Sequence, residues 1–496
     1  MSDTRVGTGT GPTPASNVPA TAPAPPPEPR RWKMLPVVLA AMFMAQFDLY
    51  VVNVAAPSLE RNIHAGPAAL QLIVAGYGFT YASGLITGGR LGDIFSHRRV
   101  FLVGVLAFSL ASVLCGVAQS PGELVAARLL QGLTGAAMVP QVLALITAVF
   151  PAAERPRALA WFGVTIGVGA VAGQVLGGLL LEANLLNLGW RAIFLVNVPV
   201  GLVAAAFAYR LMPRREAAGR RPRLDPIGAA GVAVSLALAL VPLVLGRTDG
   251  WPPWAWASLA ASVPLMALSL GWERALARRG GQPMLDLSLF GNKVFVRGLL
   301  LNVTIFSAFF SFVFVLTLVM QNGLGLSPLQ AGLTFTPLGL AFAAASIAAQ
   351  RLVARHGATV VMTGTAIVIV GMIALLLVLR LSGGAVSAPR LIGPMVLIGL
   401  GNGTAVPALI GTVLAGAHPR DAGAAAGVLT TSQQFASAAG VAALGSVFFA
   451  ALGLGHGVDA YASALQWVAL LDLVLVLIAA SISTLMPRPP RMVASA

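Results

Sequence analysis

Polar positions along this chain gather in short connections between long apolar runs, and those runs are the first structural signal. About fourteen of them are long enough to cross a bilayer as helices. They lie at approximately 35–57, 69–89, 100–118, 122–148, 158–181, 192–211, 226–246, 252–272, 298–320, 328–350, 358–379, 391–416, 422–452 and 461–486. Ahead of them, "GTGTGPTPASNVPATAPAPPPEP" is a Pro/Ala/Thr segment that cannot bury a core, so residues 1–34 are expected to form a disordered tail. It does not read as a signal peptide: the first apolar run is too long for an h-region, contains Asp48 and has no small-residue cleavage site behind it. The pattern predicts an all-α integral membrane protein.

Composition agrees. Of 496 residues, 57% are hydrophobic and 9% charged, and the mean hydropathy is +0.86. A net charge of +15 raises the question of nucleic acid, but its distribution answers it. Roughly 25 of the 31 Lys and Arg lie in the two tails and the even-numbered connections, about five in the odd-numbered ones, and Arg128 alone within a span. By the positive-inside rule both termini are cytoplasmic, in a multi-pass protein of the cell membrane, and no nucleic-acid partner is expected. The single cysteine, Cys115, lies in an apolar run and excludes disulfides and cysteine-based metal sites.

The chain also repeats itself. "QGLTGAAMVP" in the fourth run matches "IGLGNGTAVP" in the twelfth, with Gly132, Leu133 and Pro140 against Gly399, Leu400 and Pro407, and "RLGDIFSHRR" after the second run echoes "RLVARHG" after the tenth. Runs 1–6 thus correspond to runs 9–14, with 7 and 8 inserted. The expected organisation is a six-helix half over 35–212, central loops with the two inserted helices over 213–297, a second half over 298–486 and a cytoplasmic tail over 487–496. The densest basic stretch, "RLMPRREAAGRRPRLD", marks the boundary after the first half. Parallel repeats of this kind are the plan of alternating-access transporters.

Within the spans only Asp48, Arg128 and Asp472 are ionisable and well inside. Placing Asp at a membrane centre costs roughly 2.5–3.5 kcal/mol on insertion scales, so each is a candidate for proton or substrate coupling by default. Asp48 is expected to face a water-filled cavity between the halves, within reach of Arg128.

Several segments carry a resemblance. "GGRLGDIFSHRR" resembles motif A of the major facilitator superfamily, and "LVAARLLQGLTGAA", with Arg128 and Gly132, resembles its motif B. "GWRAIFLVNVPVG", "PMLDLSLF" and "LGLSPLQAGL" are similar to the 14-helix drug:proton antiporter branch. The resemblance covers about residues 35–486 and implies an inner gate at Gly89, Asp93, Arg98 and Arg99, with Asp93 directed at the positive end of the thirteenth helix near Ala422 and Gly423. Two departures stand out. Motif A usually continues Asp-Arg-x-Gly, where Ile94 and Ser96 stand here, and Gln174 replaces the proline of motif C in "GAVAGQVLGG". Motif C therefore leaves antiport and symport both open, while Gly167, Gly169, Gly173 and Gly177 still offer a small-residue face for close helix approach.

The expected function is proton-coupled efflux of amphipathic drugs or antibiotics, with a nutrient or metabolite symporter as the alternative. The polar residues expected to line the cavity are Gln46, Asn53, Gln141, Gln174, Asn302 and Asn402. A cationic substrate is permitted but not required. The histidines sit in loops or at span ends, and no nucleophile with a base, metal-ligand spacing or phosphate loop is present, so neither an enzyme nor a cofactor or metal is expected.

Overall fold

A computed structural model of the chain describes residues 30–151, 154–212, 225–246, 250–281, 287–382, 386–415 and 422–486. Most of the tail expected to be disordered, most of the basic stretch after the first half and the residues after 486 lie outside these. The described residues form fourteen long helices. They are α1 (Arg31–Ile63), α2 (Pro67–Phe95), α3 (His97–Val117), α4 (Pro121–Val149) and α5 (Arg155–Ala183); α6 (Gly189–Leu211), α7 (Pro226–Leu245), α8 (Pro253–Arg278) and α9 (Lys293–Gly323); and α10 (Pro328–His356), α11 (Thr359–Leu381), α12 (Ala388–Ala415), α13 (Ala422–Leu452) and α14 (Gly457–Thr484). Thirteen are each long and apolar enough to span a bilayer, and α2, bent by 47° between Leu85 and Thr87, makes the fourteenth when its limbs count as one span.

Helix starts follow local chemistry. Proline occupies the first turn of α2, α4, α7, α8 and α10, where its missing N–H costs nothing. Ser327 and Gln330 close a capping box on α10, and Asn292 accepts from the amides of Val294 and Phe295 at the start of α9. The α1 helix, at 33 residues, is about 50 Å long and overshoots a hydrocarbon core of about 30 Å.

The most extensive helix pairings repeat across the molecule. In the first half α2 packs on α4, α3 on α4 and α1 on α5; in the second α10 packs on α12, α11 on α12 and α9 on α13. The glycine echo explains part of this. Gly132 of α4 rests against the Tyr77 carbonyl of α2, and Gly399 of α12 against the Leu338 carbonyl of α10, so a side chain at either position would collide with backbone. Two seams, α2 with α13 and α5 with α10, join the halves. The α7 helix lies along the first seam, where Ser446 Oγ donates to the Leu243 carbonyl at 2.9 Å, and α8 packs mainly on α7.

The small-residue face of α5 divides. Gly169, Gly173 and Gly177 abut α1, Gly178 abuts Pro328 and Leu329 of α10, and Gly167 has open space in front of it. On the outside, Val103, Leu106, Leu110, Leu114 and Val117 are exposed along one stripe of α3, while Phe101, Val105 and Phe108 are buried on the other. Such a helix, apolar on both faces, suits a lipid-facing position.

Candidate functional site

A cavity of about 790 Å³ opens between the halves, a size suited to a drug-like molecule. Its wall is strongly aromatic, with Tyr50, Tyr81, Phe162, Phe306, Phe309, Phe310, Phe335 and Phe342, and carries the amides Gln46, Gln174, Asn402, Gln433 and Gln434. Phe306 and Phe310 stack, and Phe309 meets Phe310 edge to face. The Gln174 amide has no hydrogen-bond partner among the described residues. Apart from the tyrosines, the ionisable groups on the wall are Arg90 and Asp93, both at the end of α2 on the face where α1 begins.

That face, here the terminal face, is where the cavity opens: Gly89, Asp93 and Leu143 of one half stand across from Ile410 and Gly427 of the other. The opposite, far face is shut. There Gln321 Nε2 donates to the Val54 carbonyl at 2.8 Å, Asn322 Nδ2 to Glu60 at 2.9 Å and Ser327 Oγ to Glu182 at 2.9 Å. Closure at the level of Val54 puts the neighbouring Asn53, buried and expected on the cavity wall, above the cavity roof. Two further expectations fail for a different reason, that the amide is already spent inside its own half. Gln141 donates to the carbonyls of Gly88 and Ala137 and bonds to His97 at 2.8 Å. Asn302 is locked against the Leu429 carbonyl, Ser432 and Gln433. Gln46, Gln174 and Asn402 do line the cavity.

Asp48 is fully buried and also off the cavity wall, contrary to expectation. The first half closes around it. Arg128 Nη1 donates to its Oδ2 in a close ion pair, while Gln131 Nε2 at 2.9 Å and Asn197 Nδ2 at 3.2 Å donate to Oδ1. Arg128 is itself held by the Ile73 carbonyl at 3.1 Å and by Gln131 Oε1 at 2.7 Å, and its guanidinium lies 4.3 Å from the centre of the Tyr77 ring. Ser112 and Cys115 complete the shell through Gln131. A connection to the cavity exists nonetheless. Tyr77 stacks on Tyr81, with ring centres 5.8 Å apart and planes 6° from parallel, and Tyr81 is on the wall. Residues Gln46, Leu49 and Tyr50, on either side of Asp48 along α1, are on it as well. Gln131 and Asn197 were not singled out by the sequence, although Gln131 follows Arg128 by three residues on one helix face and Asn197 falls in "FLVNVP".

Asp472 is fully buried in the other half. It accepts one hydrogen bond, from Ser311 Oγ at 2.8 Å, and its Oδ2 has no partner among the described residues.

At the terminal face Asp93 sits at the cavity mouth with His97 Nε2 3.5 Å away; the side chains of Ala422 and Gly423, toward which it is expected to point, lie outside the described residues. Arg98 donates to the Tyr209 carbonyl at 2.7 Å and covers its ring, whereas Arg99 is exposed. Gly89 lines the mouth, with Pro140 beside it. Nearby, Arg31 makes two hydrogen bonds to Glu154, at 2.7 and 2.8 Å. They hold that carboxyl below its usual range.

Two bundles joined at two seams around a central cavity, with an Arg-bearing α4, match what comparison with known proteins finds. Residues 38–441 match the Major Facilitator Superfamily. The chain belongs to that superfamily. Among the relatives of this facilitator is a probable actinorhodin transporter of Streptomyces coelicolor, 38% identical over 86% of this chain and 73% of that one. The puromycin resistance protein pur8 of Streptomyces alboniger is 36% identical over 84% and 82%. The cephamycin export protein CmcT of Amycolatopsis lactamdurans is 35% identical over 83% of each. In fold it resembles a bacterial homologue of the human lysosomal transporter Spinster, with a TM-score of 0.68 and 17% identity over 92% of this chain and 97% of that one. It is a multi-pass membrane transporter and not an enzyme.

Proposed function

We propose that this facilitator exports amphipathic small molecules of the antibiotic type from the cytoplasm across the cell membrane, driven by protons. The observation that carries the reading is the cavity: it is large, aromatic and amide-lined, and among the described residues has no carboxylate or cation on its wall except at the mouth. An uncharged or weakly charged compound with ring systems and a few hydrogen-bonding groups suits such a wall, and the free amide of Gln174 offers it both a donor and an acceptor. A sugar-type symporter site would need more charged groups facing the cavity. The names of the antibiotic-exporting relatives support the same reading.

The terminal face is assigned to the cytoplasm on the excess of Lys and Arg there, which makes the described state inward-open. Asp48 is the coupling carboxylate. A proton arriving on it loosens its pair with Arg128, and the Tyr77–Tyr81 stack passes the change to the cavity wall. Proton and substrate thereby favour different states, which is what couples them.

Three experiments test this. Expressed in an efflux-deficient host, the protein should confer resistance to aromatic antibiotics that a protonophore abolishes; resistance indifferent to the protonophore would remove protons as the driving ion. Asp48→Asn protein, reconstituted in liposomes, should insert normally and lose export driven by an imposed pH gradient. Tags at residue 20, near Arg220 and after Arg491 should report cytoplasm, and one near Gly250 the exterior.

A further inference from the structure

The mechanism above leaves the buried carboxylate of the second half unused. Asp472 lies midway along α14, fully buried, with Ser311 Oγ on one carboxyl oxygen and nothing on the other. No charge faces it. The helices packed on α14 are α9, α11 and α13. Of these, α9 carries Lys293 and Arg297 at its terminal-face end, α11 carries Arg380 at its far-face end, and α13 carries no charged residue. On α14 itself Asp459 and Tyr461 sit in the first turns at the far face. An ionised carboxylate in this packing would have a single neutral donor to offset its lost hydration, a poor exchange at mid-membrane depth.

About one helical turn from it, toward the terminal face, is a void. A space of about 10 Å³, room for about one water molecule, is lined by Ile305, Ala308, Phe309, Thr365, Asn402 and Val476, among others. Ile305, Phe309 and Asn402 also line the central cavity, so the void adjoins it. On the other side, Val476 lies one helical turn from Asp472 along α14, and Ala308 three residues from Ser311 along α9, both toward the terminal face. The void thus adjoins the central cavity and lies about one helical turn from the Asp472–Ser311 pair on its terminal-face side, with Asn402 and Thr365 as its polar groups.

We propose that Asp472 is a second proton-binding site, in the half of the molecule that lacks Asp48, protonated in the inward-open state and exchanging its proton with the central cavity through the void beside Asn402. Its use in transport rests on the proton-driven reading above, but its occupancy does not. Binding a proton here needs no movement of an arginine, and the step is a transfer from hydronium in the cavity water to a carboxylate oxygen, leaving a water molecule.

Infrared difference spectroscopy on the purified full-length protein tests it without any transport substrate. Wild type at neutral pH should show the C=O stretch of a protonated carboxylic acid, which weakens at alkaline pH and shifts on transfer to D₂O. Asp472→Asn should lose that band and Asp48→Asn keep it. Ser311→Ala, which leaves the carboxyl in place, should move the band by removing its hydrogen bond and so guards against an Asp472 variant that fails to fold. Filling the void with Ala308→Val should retain the band and slow its deuterium shift. A band that survives Asp472→Asn, or is absent from wild type at every pH, overturns the proposal. A failure of protonophore-sensitive export, in contrast, removes the proton-driven reading and leaves the band where it is.

Discussion

The two buried carboxylates sit at similar depth in opposite halves, and their surroundings differ in kind. Asp48 has an arginine and two amides on its oxygens, and the arginine is in turn fixed by a carbonyl, a glutamine and an aromatic face. Asp472 has one serine. The first arrangement stabilises a charge by pairing it; the second is compatible with burial only when the charge is absent. Two solutions to the same desolvation problem give two different responses to a proton. At Asp48 protonation disturbs a network that reaches four other helices, whereas at Asp472 it disturbs little.

The sharpest way to break this comparison is to remove the partner. Arg128→Ala leaves Asp48 buried without its counter-charge and should cost about 3–5 kcal/mol, read as a lower midpoint for thermal unfolding in detergent. Arg128→Lys should recover only part of it, because a point charge cannot serve Asp48, Gln131 and the Ile73 carbonyl together. A loss below about 1 kcal/mol for Arg128→Ala would mean that Asp48 is already neutral, and the contrast between the halves would vanish.

A smaller change sharpens the same point. Gln131→Ala removes one donor to Asp48 and leaves Ser112 and Cys115 without their shared partner; about 1–3 kcal/mol is expected. Asp472→Asn keeps the shape of a group held by a single bond, so its unfolding midpoint should correspond to a change within about 1 kcal/mol of wild type. Equal losses at the two sites would show that number of partners does not distinguish them.

Much of this was readable before any coordinates. Spans are legible because lipid forbids unpaired backbone and therefore demands long apolar helices, and Asp48 and Arg128 are legible because charges in such helices are rare. What faces what is not. A helix that is apolar all round carries no periodic signal of its buried side, so Gln46 and Asn53, a helical repeat of seven apart, look alike, and only closure of the far face near Val54 separates them. Uncharged amides give still less warning: Gln131 and Asn197 hold the key carboxylate, while Gln141 and Asn302 serve packing. The Gln174 substitution was visible, but not that its amide would be left unpartnered beside the cavity.

The halves differ again at the loops that echo each other, after α2 and after α10. Arg90 corresponds to Arg351 and, in the same register, Ser96 to Gly357. Both have positive φ, 85° at Ser96 and 52° at Gly357. Glycine adopts such a conformation freely; a residue with a Cβ is strained in it. The first half therefore holds strain at a position where the second half, like the family's loop, carries glycine, although ψ differs between the two turns, 129° at Ser96 and −130° at Gly357. Ser96→Gly should relax it. Strain of about 1–3 kcal/mol is relieved against about 0.5–1 kcal/mol of added chain entropy in the unfolded state, so a net gain of about 0–2.5 kcal/mol is expected, seen as a higher unfolding midpoint with the Asp93–His97 contact intact. Gly357→Ala, the reciprocal change, should lower the midpoint. If Ser96→Gly destabilises instead, the serine is held there by its surroundings, and the loop of the first half is a built feature rather than a strained copy of the second.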